Sequence, residues 1–210
     1  ARFVATRYEP VSEVRDALYP YSLNTGRLRD QWHSMSRTGT LGRLFGHVSE
    51  PAIDMNPADM ARLGLQPGDL VDVASRRGQL VLPAQPSDAI GPMQAFIAMH
   101  WGEEFLSGHD SKGQALAGVN ALTTSAYCPQ SKQPELKHAA VKINPAKLPW
   151  RLLAVAWMPE SQALAVREAL KPLMAAFGFA SCVPFGREPH PRGVVGVLFR
   201  AAALEAPSDS

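Results

Sequence analysis

Short apolar runs separated by turn residues fill the chain up to about residue 145, and this pattern predicts a series of short strands. The runs lie at 53–55, 70–73, 80–82, 93–99 and 138–143. After the first run, Asn56 and Pro57 are typical of a helix start, because Asn caps the free N–H groups and Pro fits the first turn. The turn at 76–78 predicts a β-hairpin between the second and third runs. Several short strands with one helix favour a barrel.

Beyond residue 145 the pattern predicts a small α/β unit. Residues 150–158 are a strand-like apolar run, residues 161–177 repeat apolar positions with a helical period, and 180–185 and 194–199 predict two more strands. The order of elements is therefore β-α-β-β. The large apolar residues expected to form the core of this unit are Trp150, Leu152, Val155, Trp157 and Phe177.

The residues that precede the predicted barrel strands carry weaker signals. Residues 11–18 are compatible with a helix, and residues 20–50 hold glycines and small polar residues that predict a loop with short ordered pieces. The start at Ala1, without an initiator Met, favours a fragment cut from a longer polypeptide. We therefore divide the chain into a lead-in from a preceding domain at 1–19, a barrel at 20–145 and a small α/β extension at 146–210.

Composition and charge limit the class of partner. The 21 Lys and Arg residues nearly balance the 19 Asp and Glu residues, which indicates neither nucleic acid nor an anionic membrane as a partner. No apolar run reaches the roughly 18 residues that cross a bilayer, and the first residues lack a secretion signal, so we expect a cytoplasmic protein. Cys128 and Cys182 belong to no CxxC pair and support neither a disulfide framework nor a metal motif.

The candidate chemistry lies in a basic, glycine-containing segment from Asn24 to Arg43. Its arginines are Arg27, Arg29, Arg37 and Arg43, and hydroxyl residues stand between them. Glycine lets backbone N–H groups approach an anion, hydroxyls add donors, and guanidinium groups bind phosphate oxygens in pairs. The segment therefore predicts a phosphate cradle, and the alternative is a solvated basic loop. Neither a GxxxxGK[ST] nor a GxGxxG motif is present, which argues against an ordinary ATP or Rossmann site.

Other polar residues predict no catalytic group. His33 has no third ligand at metal spacing, so a structural histidine is favoured over a metal site. Glu103 and Glu104 are adjacent, and neighbours on an extended strand point to opposite faces, which argues against an acid–base pair. We therefore expect neither a catalytic residue nor a metal ligand in this chain.

Four separate segments together resemble a known family. They are LNTGRLRDQWHSMSRTG at 23–39, NPADMARLGLQPGDLVDVASRRG at 56–78, MHW at 99–101, and Asn120 with the downstream SKQPELK at 131–137. In length, order and spacing they resemble the C-terminal domain of molybdopterin oxidoreductases, and most of all the catalytic subunit of bacterial assimilatory nitrate reductases. The resemblance covers about residues 1–143.

This resemblance implies a mainly β fold, a six-stranded double-psi β-barrel of the aspartate-decarboxylase-like type. The barrel would close over a molybdenum bis(molybdopterin guanine dinucleotide) cofactor, with His100 and Trp101 near the substrate. Arg27 and Arg29 would neutralise phosphate. The residues that the resemblance assigns to the cofactor are Thr25, Gly26, Arg27, Leu28, Arg29, Asp30, Gln31, Trp32, His33, Ser34, Asn120 and Lys137.

The resemblance also implies that this chain is one part of a nitrate reductase that reduces nitrate to nitrite in nitrogen assimilation. A [4Fe–4S] cluster and the protein ligand to molybdenum would belong to preceding domains, so the isolated chain is not expected to be active. The implied partners are those N-terminal domains and an electron donor protein, namely ferredoxin, flavodoxin or an NADH-linked reductase subunit. The alternatives are the same domain of a formate dehydrogenase and a non-catalytic double-psi-barrel binding module.

Overall fold

The computed structural model describes residues 3, 5, 7–36, 48–108, 115, 118–185 and 192–206, with the backbone alone for Ser34. The helices are α1 (Pro57–Arg62) and α2 (Glu160–Met174). The strands are β1 (Tyr21–Gly26), β2 (Ile53–Met55), β3 (Leu70–Ala74), β4 (Gln79–Pro86), β5 (Gln94–Ala98), β6 (Leu106–Ser107), β7 (Ala139–Pro145), β8 (Trp150–Pro159), β9 (Phe179–Phe185) and β10 (Val194–Ala203).

Six strands close into a barrel in the order β1-β5-β2-β4-β3-β7. Two pairs are parallel, β1 with β5 and β2 with β4, and the other neighbours are antiparallel. The mainly β fold with a closed six-stranded double-psi barrel and a small α/β unit is therefore confirmed. The hairpin of β3 and β4 and the closing strand β7 lie where the apolar runs predicted them.

Fully buried apolar side chains from all six strands fill the barrel. Leu23, Ile53, Val71 and Leu82 have no solvent exposure, and Ile97 has almost none. Each such side chain contributes about 1.5–3 kcal/mol through burial. The barrel is therefore a solid core, and a ligand must bind at its ends or on its surface.

Helix α1 begins as the sequence predicted. The Oδ1 atom of Asn56 accepts a hydrogen bond from the Ala58 N–H at 3.0 Å, and Pro57 occupies the first turn. The Nδ2 atom of Asn56 also donates to the Ile90 carbonyl at 2.7 Å. One side chain therefore caps the helix and ties it to the turn before β5.

Replacing Asn56 with alanine is expected to lower the free energy of unfolding by about 1–2 kcal/mol, because the cap and the bond to Ile90 are both lost. Urea unfolding followed by circular dichroism measures the change. Asn56→Asp keeps the capping oxygen and loses only the amide donor, so it should cost less. Equal losses in the two variants would contradict a stabilising role for the cap.

The residues before the barrel differ from the prediction. Residues 11–18 form bends and no helix, and the expected loop at 20–50 contains strand β1. The helix expected at 11–18 was wrong, whereas β1 is one of the short ordered pieces expected within 20–50. Six-residue β1 gains its stability from two neighbours, β5 and β7, which are far away in sequence.

The second sheet has the order β6-β9-β10-β8. One face carries α2, whose Met174 packs against Cys182 and Phe199. Phe179 and Ala202 on the other face belong to the core cluster of the barrel. The sheet therefore lies between the barrel and α2. Strand β6 comes from the long segment that follows β5, so residues on both sides of the expected boundary at 145 build this sheet, and the division into domains stays a prediction.

The predicted core of this unit is only partly correct. The Trp150 and Phe177 rings stack with centroids 5.6 Å apart, and both pack against the cluster under α2. Leu152, Val155 and Trp157, in contrast, are exposed. They lie on β8, which is the edge strand, beyond the area that α2 and the barrel cover. The prediction that they belong to the core was wrong.

Across the residues that the structure describes, neither α1 nor α2 is both long enough and apolar enough to cross a membrane.

Candidate functional site

The C-terminal end of β1 meets the residues that lead into β7. Thr25 is buried, and its hydroxyl donates a hydrogen bond to the Leu136 carbonyl. The Nζ atom of Lys137 donates to the Thr25 carbonyl at 2.5 Å. Thr25 and Lys137, which are far apart in sequence, are thus held in direct contact.

Gly26 ends β1 at a place without room for a side chain. A Cβ atom there would lie 2.8 Å from the Phe96 ring and 3.7 Å from Lys137 Nζ. The Gly26 carbonyl accepts the Met99 N–H at 2.9 Å. This bond fixes the residues after β5, including His100, beside the residues after β1.

Aromatic and basic side chains follow directly after β1. The Arg27 guanidinium lies 5.2 Å from the centre of the Trp32 ring, and the Trp32 and His33 ring centroids are 4.9 Å apart. His33 has a backbone φ of 46°, which is uncommon for a residue with a side chain. The result is an exposed group of one cation and two flat rings, which suits an anionic ligand with a planar part.

His100 is a buried polar residue at this end of the barrel. Its side chain is 3% exposed, and Nε2 has no hydrogen-bond partner among the described residues. Burial, and in second place the positive charge of Arg27, lower the pKa of the His100 imidazole, so the ring is neutral at pH 7. An unpartnered buried nitrogen costs about 1–3 kcal/mol, which a bound ligand could offset.

Leu28 and Trp101 lie together in an apolar cluster with Met35, Ala98 and Phe105. The Trp101 ring packs edge-on against Phe105, with centroids 5.9 Å apart. Trp101 is fully enclosed in the protein, so its contacts favour a packing role. Of the two residues predicted near the substrate, His100 thus offers a ring nitrogen without a partner among the described residues, and Trp101 packs among apolar side chains.

Asn120 is exposed on a 3-10 turn, Val119–Ala121. Gly118, which precedes the turn, lies so close to β5's continuation that a Cβ atom would be 2.8 Å from the Trp101 carbonyl oxygen. On the other side, a Cβ atom on Gly78 would be 2.9 Å from the Ala121 carbonyl oxygen. Two glycines therefore let the turn sit between the β3–β4 hairpin and the backbone that follows His100.

Arg77 and Glu13 support this turn, and the sequence analysis missed both. The Nη2 atom of Arg77 donates to the Leu122 carbonyl at 2.9 Å, directly after the Asn120 turn. Glu13 accepts from Arg77 Nη1 at 2.6 Å and from the Ala140 N–H at 2.8 Å. The only signal in the sequence was the pair of arginines at 76–77, which we read as part of a hairpin turn. Their partners lie too far along the chain for a local pattern to reveal.

Several predicted residues are not brought into this group by any described contact. Arg29 forms a two-bond ion pair with Asp30, at 2.7 and 2.8 Å, and its side chain is 73% exposed. The hydrogen bonds that Arg29 donates to Asp30, and in second place the negative charge of that carboxylate, raise the pKa of Arg29. The ion pair neutralises much of the charge of Arg29. Gln31 is buried. Arg37, Arg43 and the Ser34 side chain lie outside the described residues.

The chemistry of the assembled groups is that of binding. Arg27 and Lys137 supply positive charge, Asn120 an exposed amide, and Trp32 and His33 flat rings. In the described ranges, no cluster of three or more His, Cys, Asp or Glu side chains could hold a metal ion. Cys128 is an exposed free thiol and Cys182 a buried one.

The fold defines the class of this protein: a six-stranded double-psi barrel domain with polar groups gathered at the end of β1. Residues 21–140 match the family model described as the molydopterin dinucleotide binding domain. The match covers more than half of the chain, and the chain belongs to this family. All described residues of the candidate site lie inside the matched range.

Three proteins of similar sequence narrow the comparison. The nitrate reductase of Klebsiella oxytoca is 39% identical over 142 residues, which are 68% of this chain and 16% of that protein. The nitrate reductase of Symbiobacterium thermophilum is 37% identical over 135 residues, 64% of this chain and 17% of that protein. The F420-dependent formate dehydrogenase subunit alpha of Methanocaldococcus jannaschii is 35% identical over 137 residues, 65% of this chain and 18% of that protein. The chain spans less than a fifth of the length of each.

Proposed function

We propose that this chain is the part of a larger molybdenum oxidoreductase that binds the molybdopterin guanine dinucleotide cofactor at the end of β1. The observation that carries the proposal is the family match over 21–140, the range that contains the whole candidate site. The residues present fit such a group, because the buried Nε2 of His100 has no partner within the described part of the chain and Arg27 stands exposed beside it.

Individual residues take distinct roles in this proposal. Arg27 and Lys137 neutralise phosphate charge, and the backbone at Thr25 and Gly26 allows close approach of the ligand. Trp32 and His33 pack against a flat ring of the cofactor. The paired Arg29 and Asp30 form the outer edge of the site. Leu28 and Gln31 form the inner wall of the site. The amide of Asn120 and the hydroxyl of Ser34 add hydrogen bonds to the cofactor.

When bound, the molybdenum and its dithiolene ligands supply the redox chemistry. The residues of this chain bind and orient the cofactor, keep water from its buried side, and provide a neutral imidazole at His100. None of them acts as a proton donor or nucleophile in this proposal. The cofactor form is the molybdenum bis(molybdopterin guanine dinucleotide), with a [4Fe–4S] cluster in preceding domains.

The reaction that we propose for the whole enzyme is the two-electron reduction of nitrate to nitrite, which consumes two protons and releases water. Two of the three relatives named above are nitrate reductases, which supports this choice. The formate dehydrogenase relative supports formate oxidation as the second candidate. We place the enzyme in the cytoplasm, in nitrate assimilation, with a ferredoxin, flavodoxin or NADH-linked donor.

The test uses the full polypeptide that carries these residues. Arg27→Ala and Lys137→Ala should each weaken cofactor retention about 10- to 100-fold, the effect of losing one charge-assisted hydrogen bond. Molybdenum content and the guanine nucleotide released on denaturation measure retention without an activity assay. Arg151→Ala, which removes an exposed arginine from β8, is the matched control and should retain the cofactor.

Each result decides between the candidates. Full retention in both Arg27→Ala and Lys137→Ala would contradict the site. A purified full-length protein without any pterin or guanine nucleotide would favour the non-catalytic binding module. Nitrate-dependent oxidation of a reduced viologen dye by the loaded enzyme is the expected activity, and formate-dependent dye reduction in its place would assign the second candidate.

A further inference from the structure

Strand β8 is the feature that the proposed function leaves unexplained. It is ten residues long, and among the described residues it pairs with β10 alone. Every residue from Arg151 to Trp157 is exposed. The opposite edge of the same sheet is the two-residue strand β6, which is too short to pair with another chain.

Natural proteins protect a free edge strand with charges, prolines, bulges or a short length. Strand β8 is long and has little of this protection. Its register with β10 runs without interruption from Trp150 to Pro159, its only proline is the last residue, and Arg151 is its only charged residue. An exposed edge with this composition is a template for strand pairing.

One face of the edge adds an apolar stripe. Leu153, Val155 and Trp157 alternate along β8 and therefore share a face. Leu153 is 66% exposed and Trp157 is 52% exposed. The stripe continues onto β9, where Phe185 packs edge-on against Trp157 with centroids 5.6 Å apart. A contiguous patch of this kind marks an interaction surface.

The strand is complementary to itself in one register. Along β8, the backbone N–H and C=O groups of every second residue point to the free edge. In an antiparallel pair of two identical strands, these residues must lie opposite each other, so an odd-numbered residue opposes an odd-numbered one and an even-numbered residue an even-numbered one. A two-fold axis at Ala154 then places Arg151 opposite Trp157 and Leu153 opposite Val155. The cation meets an aromatic ring twice, once on each side of the axis. An axis at Leu153 would place Arg151 against Val155, and an axis at Val155 would place it against Pro159.

We propose that β8 pairs with β8 of a second copy of this chain, antiparallel about a two-fold axis at Ala154. The four-stranded sheets of the two copies become one eight-stranded sheet. The buried surface belongs to the small class of interface, below about 1,200 Å², so the dimer forms in the micromolar range. A net charge of only +2 gives little repulsion between copies.

The test again uses the full polypeptide, with Cys128→Ser to remove the exposed thiol of this chain. In that background Ala154→Cys should form a disulfide between copies under mild oxidation, because paired Cα atoms at the axis lie about 4.5–5.5 Å apart, within disulfide range. Ala156→Cys is the matched control. Its two copies are offset by four residues, about 13 Å, and should not join. Mass spectrometry identifies the linked peptide.

Sedimentation gives a second, non-covalent measure. The native protein should double its mass between about 1 and 100 µM, and Val155→Lys should stay monomeric with an unchanged circular dichroism spectrum, because it places like charges around the axis. A monomer at all concentrations would overturn the proposal. Equal cross-linking at 154 and 156 would do the same. Strong hydrogen-exchange protection of β8 in a monomer would assign the edge to another segment of the polypeptide and also refute it.

Discussion

Replacing Leu82 with alanine is expected to lower the free energy of unfolding of the barrel by about 2–5 kcal/mol. Leu82 is fully buried on β4, the strand that pairs with both β2 and β3. The change removes buried apolar surface and leaves a cavity that neighbouring strands of a closed barrel cannot fill by moving inward. Urea unfolding, with hydrogen exchange of the β4 amides to assign the transition to the barrel, measures the loss.

Leu164→Ala is the matched control for this prediction. It removes the same atoms from a side chain that is 53% exposed on α2, so it should change the free energy of unfolding by no more than about 0.5 kcal/mol. Similar losses at the two positions would mean that burial in the barrel does not dominate its stability. If Leu82→Ala lowers the free energy of unfolding only slightly, the barrel relaxes around the cavity.

The elements that could be predicted from the sequence are those with local signals. Asn56 and Pro57 predict the start of helix α1, because the cap and the proline act within one turn of the helix. The turn at 76–78 predicts the hairpin of β3 and β4, because the turn residues and the two strands are adjacent in sequence. The helical period of α2 and the apolar runs of β8, β9 and β10 also repeat within short windows.

The elements that were missed depend on distant partners. Strand β1 contains Asn24 and Gly26, which favour turns, and becomes a strand only because β5 and β7 lie on either side of it. Val155 and Trp157 looked like core residues because apolarity does not distinguish a central strand from an edge strand. The order of strands in the sheet determines whether residues of β8 are buried or exposed, and a local sequence pattern does not reveal that order.

The candidate site shows the same division. The segment at 25–34 could be recognised from its amino-acid sequence. The structure places Thr25, Gly26 and Lys137 in contact. The support of the Asn120 turn by Arg77 and Glu13 could not be foreseen, because its hydrogen bonds join residues that are far apart in sequence. The pairing of Arg29 with Asp30 was local but ambiguous, since an arginine beside an acid serves either a ligand or its neighbour.

Glu13 makes the stability of the whole chain depend on pH. Hydrogen bonds from Arg77, then from the Ala140 N–H, lower the pKa of Glu13 from 4.5 to about 2, although burial opposes the shift. The side chain is 13% exposed. A carboxyl group with a lowered folded-state pKa stabilises the fold fully above pH 4.5, and this contribution is lost as the pH falls towards 2. The contribution is about 2 kcal/mol, because solvent reaches the partly exposed arginines and screens the pair.

Glu13→Gln is therefore expected to lower the free energy of unfolding by about 2 kcal/mol at pH 7, and to converge with the native chain near pH 2. The glutamine keeps an acceptor for the Ala140 N–H and loses only the charge that Arg77 needs. Urea unfolding at a series of pH values between 2 and 7 measures the difference. Glu9→Gln, at an exposed position of the same lead-in, is the control and should follow the native curve. A constant difference down to pH 2 would show that Glu13 acts through its shape and not its charge.

Because Arg77 also holds the Leu122 carbonyl, loss of the Glu13 charge should loosen the Asn120 turn as well, which hydrogen exchange at 119–123 would detect.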